Sequence, residues 1–202
     1  MSAFKSITAV AAPIAGLNID TDQIIPARFL KYDRASGYGK FLFHDQRLDE
    51  AGAERSEFVL NREPFRSARI LVADENFGCG SSREGAVYAL HDFGIRVVIA
   101  PSFGDIFYNN CLRNGLLPAK VSSGYAAELR RSLSHSSDPR VTVDLEQLQI
   151  GDAIGRVADF SLDEFWRECL LQGVDEIGLA LQQASRIEAF EREYFRSAPW
   201  LA

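Results

Sequence analysis

Ile70-Leu71-Val72-Ala73-Asp74-Glu75-Asn76-Phe77-Gly78-Cys79-Gly80-Ser81-Ser82-Arg83-Glu84 runs from a short apolar segment through a glycine-rich turn into a helical pattern that begins near Ser82. A short apolar run bounded by turn residues reads as a buried strand. A glycine-rich turn from strand to helix presents backbone N–H groups and the positive helix end to whatever lies above it. Ser81, Ser82 and Arg83 stand at that spot, so the turn reads as an anion site with a hydroxyl in it.

The same alternation continues outward. We read strand 69–73, helix 82–93, strand 96–100, helix 103–114 and strand 116–119, which implies βαβ units and a parallel sheet covered by helices. Upstream, Lys5 to Ile14 reads as a strand, Asn18 to Asp22 as a polar loop and Ile24 to Leu30 as a short helical piece. Asp33 to Gly39 reads as a mobile loop, with Tyr32 and Tyr38 its only apolar anchors. Residues 45–57 are charged and read as surface. After Ser122 the character changes. A helix is expected over 125–134, then strands at Val141 to Leu145 and 153–158 with Gly151-Asp152 in the turn between them. Residues 162–172 carry Leu162, Phe165, Trp166, Cys169 and Leu170 at helical spacing. Ala184 to Phe195 reads as a Glu/Arg-rich helix, either solvated or laid against the body or a partner.

The chain has 202 residues, 47% hydrophobic and 25% charged, ordinary values for a globular protein. One domain is expected over 1–202, with a core over about 1–160 and a C-terminal helical extension over about 161–202. The net charge of −6 argues against a nucleic-acid binder. No apolar run approaches the roughly 20 residues of a membrane span, and the first residues lack the apolar core of a secretory signal. Cys79, Cys111 and Cys169 are widely spaced. That fits a reducing cytoplasm, and without CxxC spacing no zinc or iron–sulfur site is expected on this chain.

Ser81 and Glu84 have capping-box spacing, so helix capping competes with catalysis for the Ser81 hydroxyl. Capping does not account for Arg83. A cation in the first turn opposes the helix dipole, and a substrate carboxylate held between Arg83 and the helix end would relieve it. Other glycine-rich readings fail on spacing: there is no GxGxxG, no Walker A lysine and no GxSxG elbow. His44, His91 and His135 are not next to the serines in sequence, and Cys79 reads as a small side chain filling a tight turn.

Four segments together carry a family likeness. Asp20 to Pro26, Gly78 to Glu84, Ala100 to Phe107 and Asn114 to Pro118 resemble the small subunit of 3-isopropylmalate dehydratase, the separate-chain counterpart of the C-terminal domain of aconitases. The tail from Asp163 to Gln183 fits as well. The resemblance implies an α/β fold, a three-layer swivelling β/β/α domain with C-terminal helices. It implies a cytoplasmic heteromeric hydro-lyase of leucine biosynthesis, interconverting 2-isopropylmalate and 3-isopropylmalate by dehydration and rehydration. The cofactor, a [4Fe-4S] cluster, belongs to a large partner subunit in a heterodimer or heterotetramer; none is implied on this chain. Carried over, Ser81 is the catalytic base, and Arg83, Ser82, Thr21, Asp22 and Arg34 contact a small dicarboxylate substrate, with Arg34 on the 31–39 loop that reads its variable side group. Two departures stand out. The family's Gly-Ser-Ser-Arg-Glu-His-Ala has Gly85 here in place of His, for which local packing or ligand space is the expected reason. Residues 31–39 also differ from the family's Val-Thr-Arg-Thr-Gly. Both leave open another substituted malate, such as a methylmalate/citraconate pair. A non-catalytic anion-binding module is the alternative of a different class.

Overall fold

The computed structural model describes residues 2–81, 83–198 and 200. Among the described residues, seven strands form one sheet in the order β4-β3-β2-β1-β5-β6-β7. They are β1 (Ser6–Pro13), β2 (Ile70–Val72), β3 (Val97–Ala100), β4 (Leu117–Lys120), β5 (Arg140–Asp144), β6 (Gln149–Asp152) and β7 (Val157–Asp159). β1 to β4 pair in parallel, with Ala12 opposite Leu71, Leu71 opposite Val98 and Val98 opposite Pro118. Pro118 is tolerated because β4 is an edge strand, where a missing N–H breaks no ladder. β5 adds antiparallel to the far side of β1, and β6 and β7 follow antiparallel. The change of character after Ser122 is this change from parallel to antiparallel pairing.

Alternate residues of the parallel strands feed two cores. Ala12, Leu71, Val98 and Ala100 face one, together with Ile24, Phe77, Leu90 and Phe107. Ala11, Ile70, Val72, Val97 and Ile99 face the other, where Val141, Val143 and Ile150 of the antiparallel half join them. β2 and β3 are therefore buried on both faces, which explains their unbroken apolar sequence. Both halves of one curled sheet share the second core, so the two β layers expected from the resemblance are parts of a single sheet.

The helices are α1 (Thr21–Ile24), α2 (His44–Arg47), α3 (Glu84–Phe93), α4 (Asp105–Arg113), α5 (Ser123–His135), α6 (Glu164–Gln172), α7 (Glu176–Leu181) and α8 (Ala184–Ser197). α3 ends at Gly94, whose φ of 114° lies in the left-handed region that favours glycine. α8 has no buried residue, and Ile187, Phe190, Tyr194 and Phe195 are exposed on it.

Three local readings are corrected. The polar loop runs into α1, which starts at Thr21 because the Asp20 side chain accepts from the Gln23 N–H at 2.8 Å and caps a helical turn. The helical piece 24–30 is broken: Ile25, held extended ahead of Pro26, separates α1 from a 3-10 turn at Ala27–Phe29. Gly151-Asp152 belongs to β6, and the chain reverses over 153–155. The Asp152 carboxylate drives that turn by accepting from the N–H groups of Ile154 at 3.2 Å and Arg156 at 2.9 Å.

The loop before α4 approaches the turn after β2 backbone to backbone. A Cβ on Gly104 would lie 2.5 Å from the Gly78 carbonyl oxygen and 2.9 Å from Cys79 Cα. A Gly104→Ala variant is expected to lose about 1–3 kcal/mol of stability through overpacking. Urea denaturation tests this, and an unchanged midpoint would show that the two loops separate freely.

Candidate active site

Residues 76–81 are clamped from both sides by backbone. On one side the Gly78 N–H donates to the Ile19 carbonyl at 2.7 Å, and the Thr21 N–H donates to the Cys79 carbonyl at 3.0 Å. On the other, the Phe77 N–H donates to the Ser102 carbonyl at 3.1 Å, the Gly104 N–H to the Phe77 carbonyl at 3.0 Å, and the Asn76 N–H to Ser102 Oγ at 2.8 Å. Gly78, at φ 73°, has no room for a side chain: a Cβ there would meet the Phe107 ring at 2.2 Å. The turn therefore needs both the left-handed backbone and the missing side chain that glycine supplies.

An open cleft of about 340 Å³ lies over this turn, lined by Thr21, Gly80, Ser81 and Arg83 on one side and by Gly104 to Phe107 on the other. Ser81 is exposed, and its carbonyl accepts from Thr21 Oγ1 at 2.8 Å. Thr21 is buried, so its hydroxyl acts on the Ser81 backbone and fixes where that residue stands. The capping-box alternative is not met. The N-cap of α3 is Arg83, with no side-chain cap, and Glu84 accepts from Asn114 Nδ2 at 2.9 Å instead of reaching back. The N-cap of α4 is Gly104, also without a side-chain cap, at the opposite wall of the same cleft. Two helix N-termini thus border one cleft, each favouring negative charge.

Arg83 is mostly buried and pairs through Nη1 with Asp22. The anion expected at Arg83 from the sequence is, in this structure, the Asp22 carboxylate. Asp22 is half exposed and also accepts the Ala27 N–H at 3.1 Å. The Arg83 guanidinium beside it holds its carboxyl below the usual range, against a smaller opposing effect of burial. A guanidinium has five donors, more than one carboxylate uses, so Arg83 retains capacity for a second anion.

Ser81, Arg83 and Thr21 are brought together at the cleft, with Asp22 joined through Arg83. Ser82 lies outside the described residues. Arg34 does not line the cleft; it pairs with Asp92 on α3. Cys79 lines the cleft with its Sγ toward the Asn18 carbonyl at 3.4 Å, as expected of a small group in a tight turn. A Cβ on Gly85 would lie 2.5 Å from Leu30 Cδ2 and 3.3 Å from the Tyr38 ring, so a side chain there would have to displace the end of Leu30. The sequence reading missed the α4 end, with Asp105 in its first turn, as a wall of the site. Its helix was legible, but the approach of Gly104 to Gly78 that brings it to the cleft leaves no trace in local periodicity. Among the described residues, no group of three or more His, Cys, Asp and Glu side chains could hold a metal ion, and no helix is long and apolar enough to cross a membrane.

Residues 1–124 match the family model of the aconitase C-terminal domain, and residues 176–202 match that of the C-terminal domain of the 3-isopropylmalate dehydratase small subunit. The chain belongs to the 3-isopropylmalate dehydratase small-subunit family. A curated member from Rhizobium etli is 52% identical over 202 residues, with 100% of each chain covered. One from Roseobacter denitrificans is 46% identical, again with 100% of each chain covered. A crystal structure of 3-isopropylmalate dehydratase (leuD) from Methanocaldococcus jannaschii superposes with a TM-score of 0.64 at 27% identity, over 91% of this chain and 99% of that one. Family membership makes the protein part of a dehydratase, a hydro-lyase.

Two outcomes are expected from this geometry. Thr21→Val keeps the shape but removes the donor to the Ser81 carbonyl, and should cost about 0.5–1.5 kcal/mol in chemical denaturation. The Asp22 carboxyl should titrate below the ordinary Asp range in an NMR pH series and return toward it in Arg83→Ala. Because its folded value is depressed, the stability contributed by this pair is complete above the unfolded value and is lost as pH falls through the folded one. An Asp22 titration unmoved by the Arg83 change would rule the pair out in solution.

Proposed function

We propose that this chain is the small subunit of a heteromeric hydro-lyase that interconverts 2-isopropylmalate and 3-isopropylmalate in leucine biosynthesis, in the cytoplasm. It works with a large subunit that carries a [4Fe-4S] cluster. The observation that carries this reading is the meeting of Ser81 and Arg83 with two uncapped helix N-termini in one cleft, in a chain that matches its curated relatives end to end. This chain's own residues do not fit a cluster: Cys111 and Cys169 are buried, and Cys79 stands apart in the cleft turn. In the assembled enzyme the partner's cluster would bind the substrate's hydroxyl and one carboxylate.

In this reading Arg83 holds a substrate carboxylate with the part of its fork that Asp22 does not use. Ser81 removes the proton from the carbon next to a carboxylate, as hydroxide leaves the neighbouring carbon and a double bond forms. Rehydration returns the proton and the hydroxide to exchanged carbons. Ser81 is a poor base unless its alkoxide is stabilised. One helix end supplies up to about 2 kcal/mol, or roughly one and a half pK units. The second helix end and Arg83 add to this, and their effect grows when water is excluded. Ser81 is exposed in the chain alone, so closure by the large subunit is part of the mechanism, and the isolated chain should be inert.

Anaerobic assay of 3-isopropylmalate with this chain, the large subunit and their mixture tests the reading. Turnover in the mixture alone is the expected result. Turnover of methylmalate but not of isopropylmalate would move the assignment to the smaller substrate, and turnover of neither would remove the hydro-lyase reading. Ser81→Ala should lower turnover by roughly 10²–10⁴-fold, the usual share of general acid–base catalysis, and leave association with the large subunit intact on size exclusion. Loss of association instead would mark Ser81 as structural.

A further inference from the structure

The first turn of α3 begins at the cleft, and its last turn carries a carboxylate that the mechanism above does not use. Asp92 is exposed as a residue, but its side chain is mostly covered, at 17% exposure. Its Oδ1 accepts from Arg34 Nη2 at 2.8 Å, and its Oδ2 accepts from Arg34 Nη1 and from the Tyr38 N–H, the latter at 2.7 Å. His91 Nδ1 stands 4.0 Å from Oδ1. Burial acts to raise the Asp92 carboxyl, and the Arg34 guanidinium and the Tyr38 N–H together outweigh it. The Arg34 guanidinium lies 4.4 Å from the centre of the Tyr88 ring, a cation–π contact. Gly85, Tyr88 and Asp92 are spaced to share one helix face. Leu30 rests over Gly85, and the backbone of Gly39 abuts that of Asp92, where a Cβ would lie 2.7 Å away. The segment from Leu30 to Gly39 is therefore seated along α3, and its end at Leu30 lies over the first turn, next to Arg83.

We propose that Asp92 is a positioning residue for the substrate site: it grips Arg34 and the Tyr38 N–H, so Arg34 serves as the strut of the 31–39 segment and does not contact the substrate. Three donors on one mostly covered carboxylate make a joint that no single partner maintains alone. An Arg34 committed in this way has both terminal nitrogens on Asp92 and its face against Tyr88. The substrate's variable group would then meet the apolar edge of the seated segment near Leu30, and Asp92 would act on selectivity from the far end of the helix. The kinetic part of the test rests on the hydro-lyase reading; the exchange part does not.

The test compares the full chain with Asp92→Asn, Arg34→Ala and the double variant. Hydrogen exchange of the 33–38 amides should quicken by roughly ten- to a hundredfold in each single variant, as expected for the loss of charge-assisted hydrogen bonds, and no further in the double. Arg34 is at the surface, so its variant reports even if Asp92→Asn unfolds. In the mixture with the large subunit, each single variant should raise KM and shift the preference between isopropyl- and methyl-substituted malates by a similar factor. kcat should stay within about twofold, and the double variant should be no worse than either single. Unchanged exchange would overturn the proposal. So would effects of the two substitutions that multiply in the double variant, because Arg34 would then act on the substrate independently of Asp92. If the wild-type mixture turns over neither malate, the hydro-lyase reading fails and exchange alone decides the strut.

Discussion

The meeting of two backbones at Gly78 and Gly104 is the contact on which the rest of the site depends. Neither position has room for a side chain. Their approach lets the Phe77 carbonyl receive the Gly104 N–H, which begins α4 at the cleft wall. The same turn is held on its other side by Ile19 and Thr21. Ser81 thus owes its place to main-chain partners on two segments, 19–21 and 102–104, with the Thr21 hydroxyl as the final constraint. Geometry set by backbone is less exposed to side-chain drift than geometry set by rotamers.

Charge is handled economically around this frame. Arg83 is mostly buried in a site built for an anion, and Asp22 neutralises it. Asp22 is half exposed, so under the proposed function it would yield part of the guanidinium to a substrate carboxylate without leaving a buried charge unpaired. A deeply buried Asp22 would hold Arg83 too firmly; its absence would leave a cation against a helix end that repels it.

The parallel half of the fold was legible because β2 and β3 are buried on both faces and their apolar runs end at turn residues. The placing of Ser81 and Arg83 at a strand–turn–helix junction was legible for the same reason. What escaped was set by side chains acting on nearby backbone or by contacts between distant segments. Asp20 starts a helix inside a polar loop, and Asp152 moves a turn by a few residues; an Asp accepts such bonds in several turn types, so its presence does not say which. The capping box failed because Glu84 found Asn114, which lies beyond α4 and becomes a neighbour only after the sheet is assembled. Arg34 was placed at the substrate by the family resemblance, and its pairing with Asp92, 58 residues away, could not be read from local sequence.

The clamp on the turn also bears on how the site comes into being. Asn76 bonds to Ser102 across 26 residues and to Asn18 across 58. Residues 69–122 contain a complete run of strands and helices and could assemble early, yet the cleft would lack one wall until β1 docks beside β2 and delivers the 18–24 segment. Site formation is thereby tied to completion of the whole parallel sheet. A ligand that binds this cleft binds only the finished fold, so it stabilises the native chain by mass action and offers nothing to a partly assembled one. The site is in effect an inspection point for the fold that carries it.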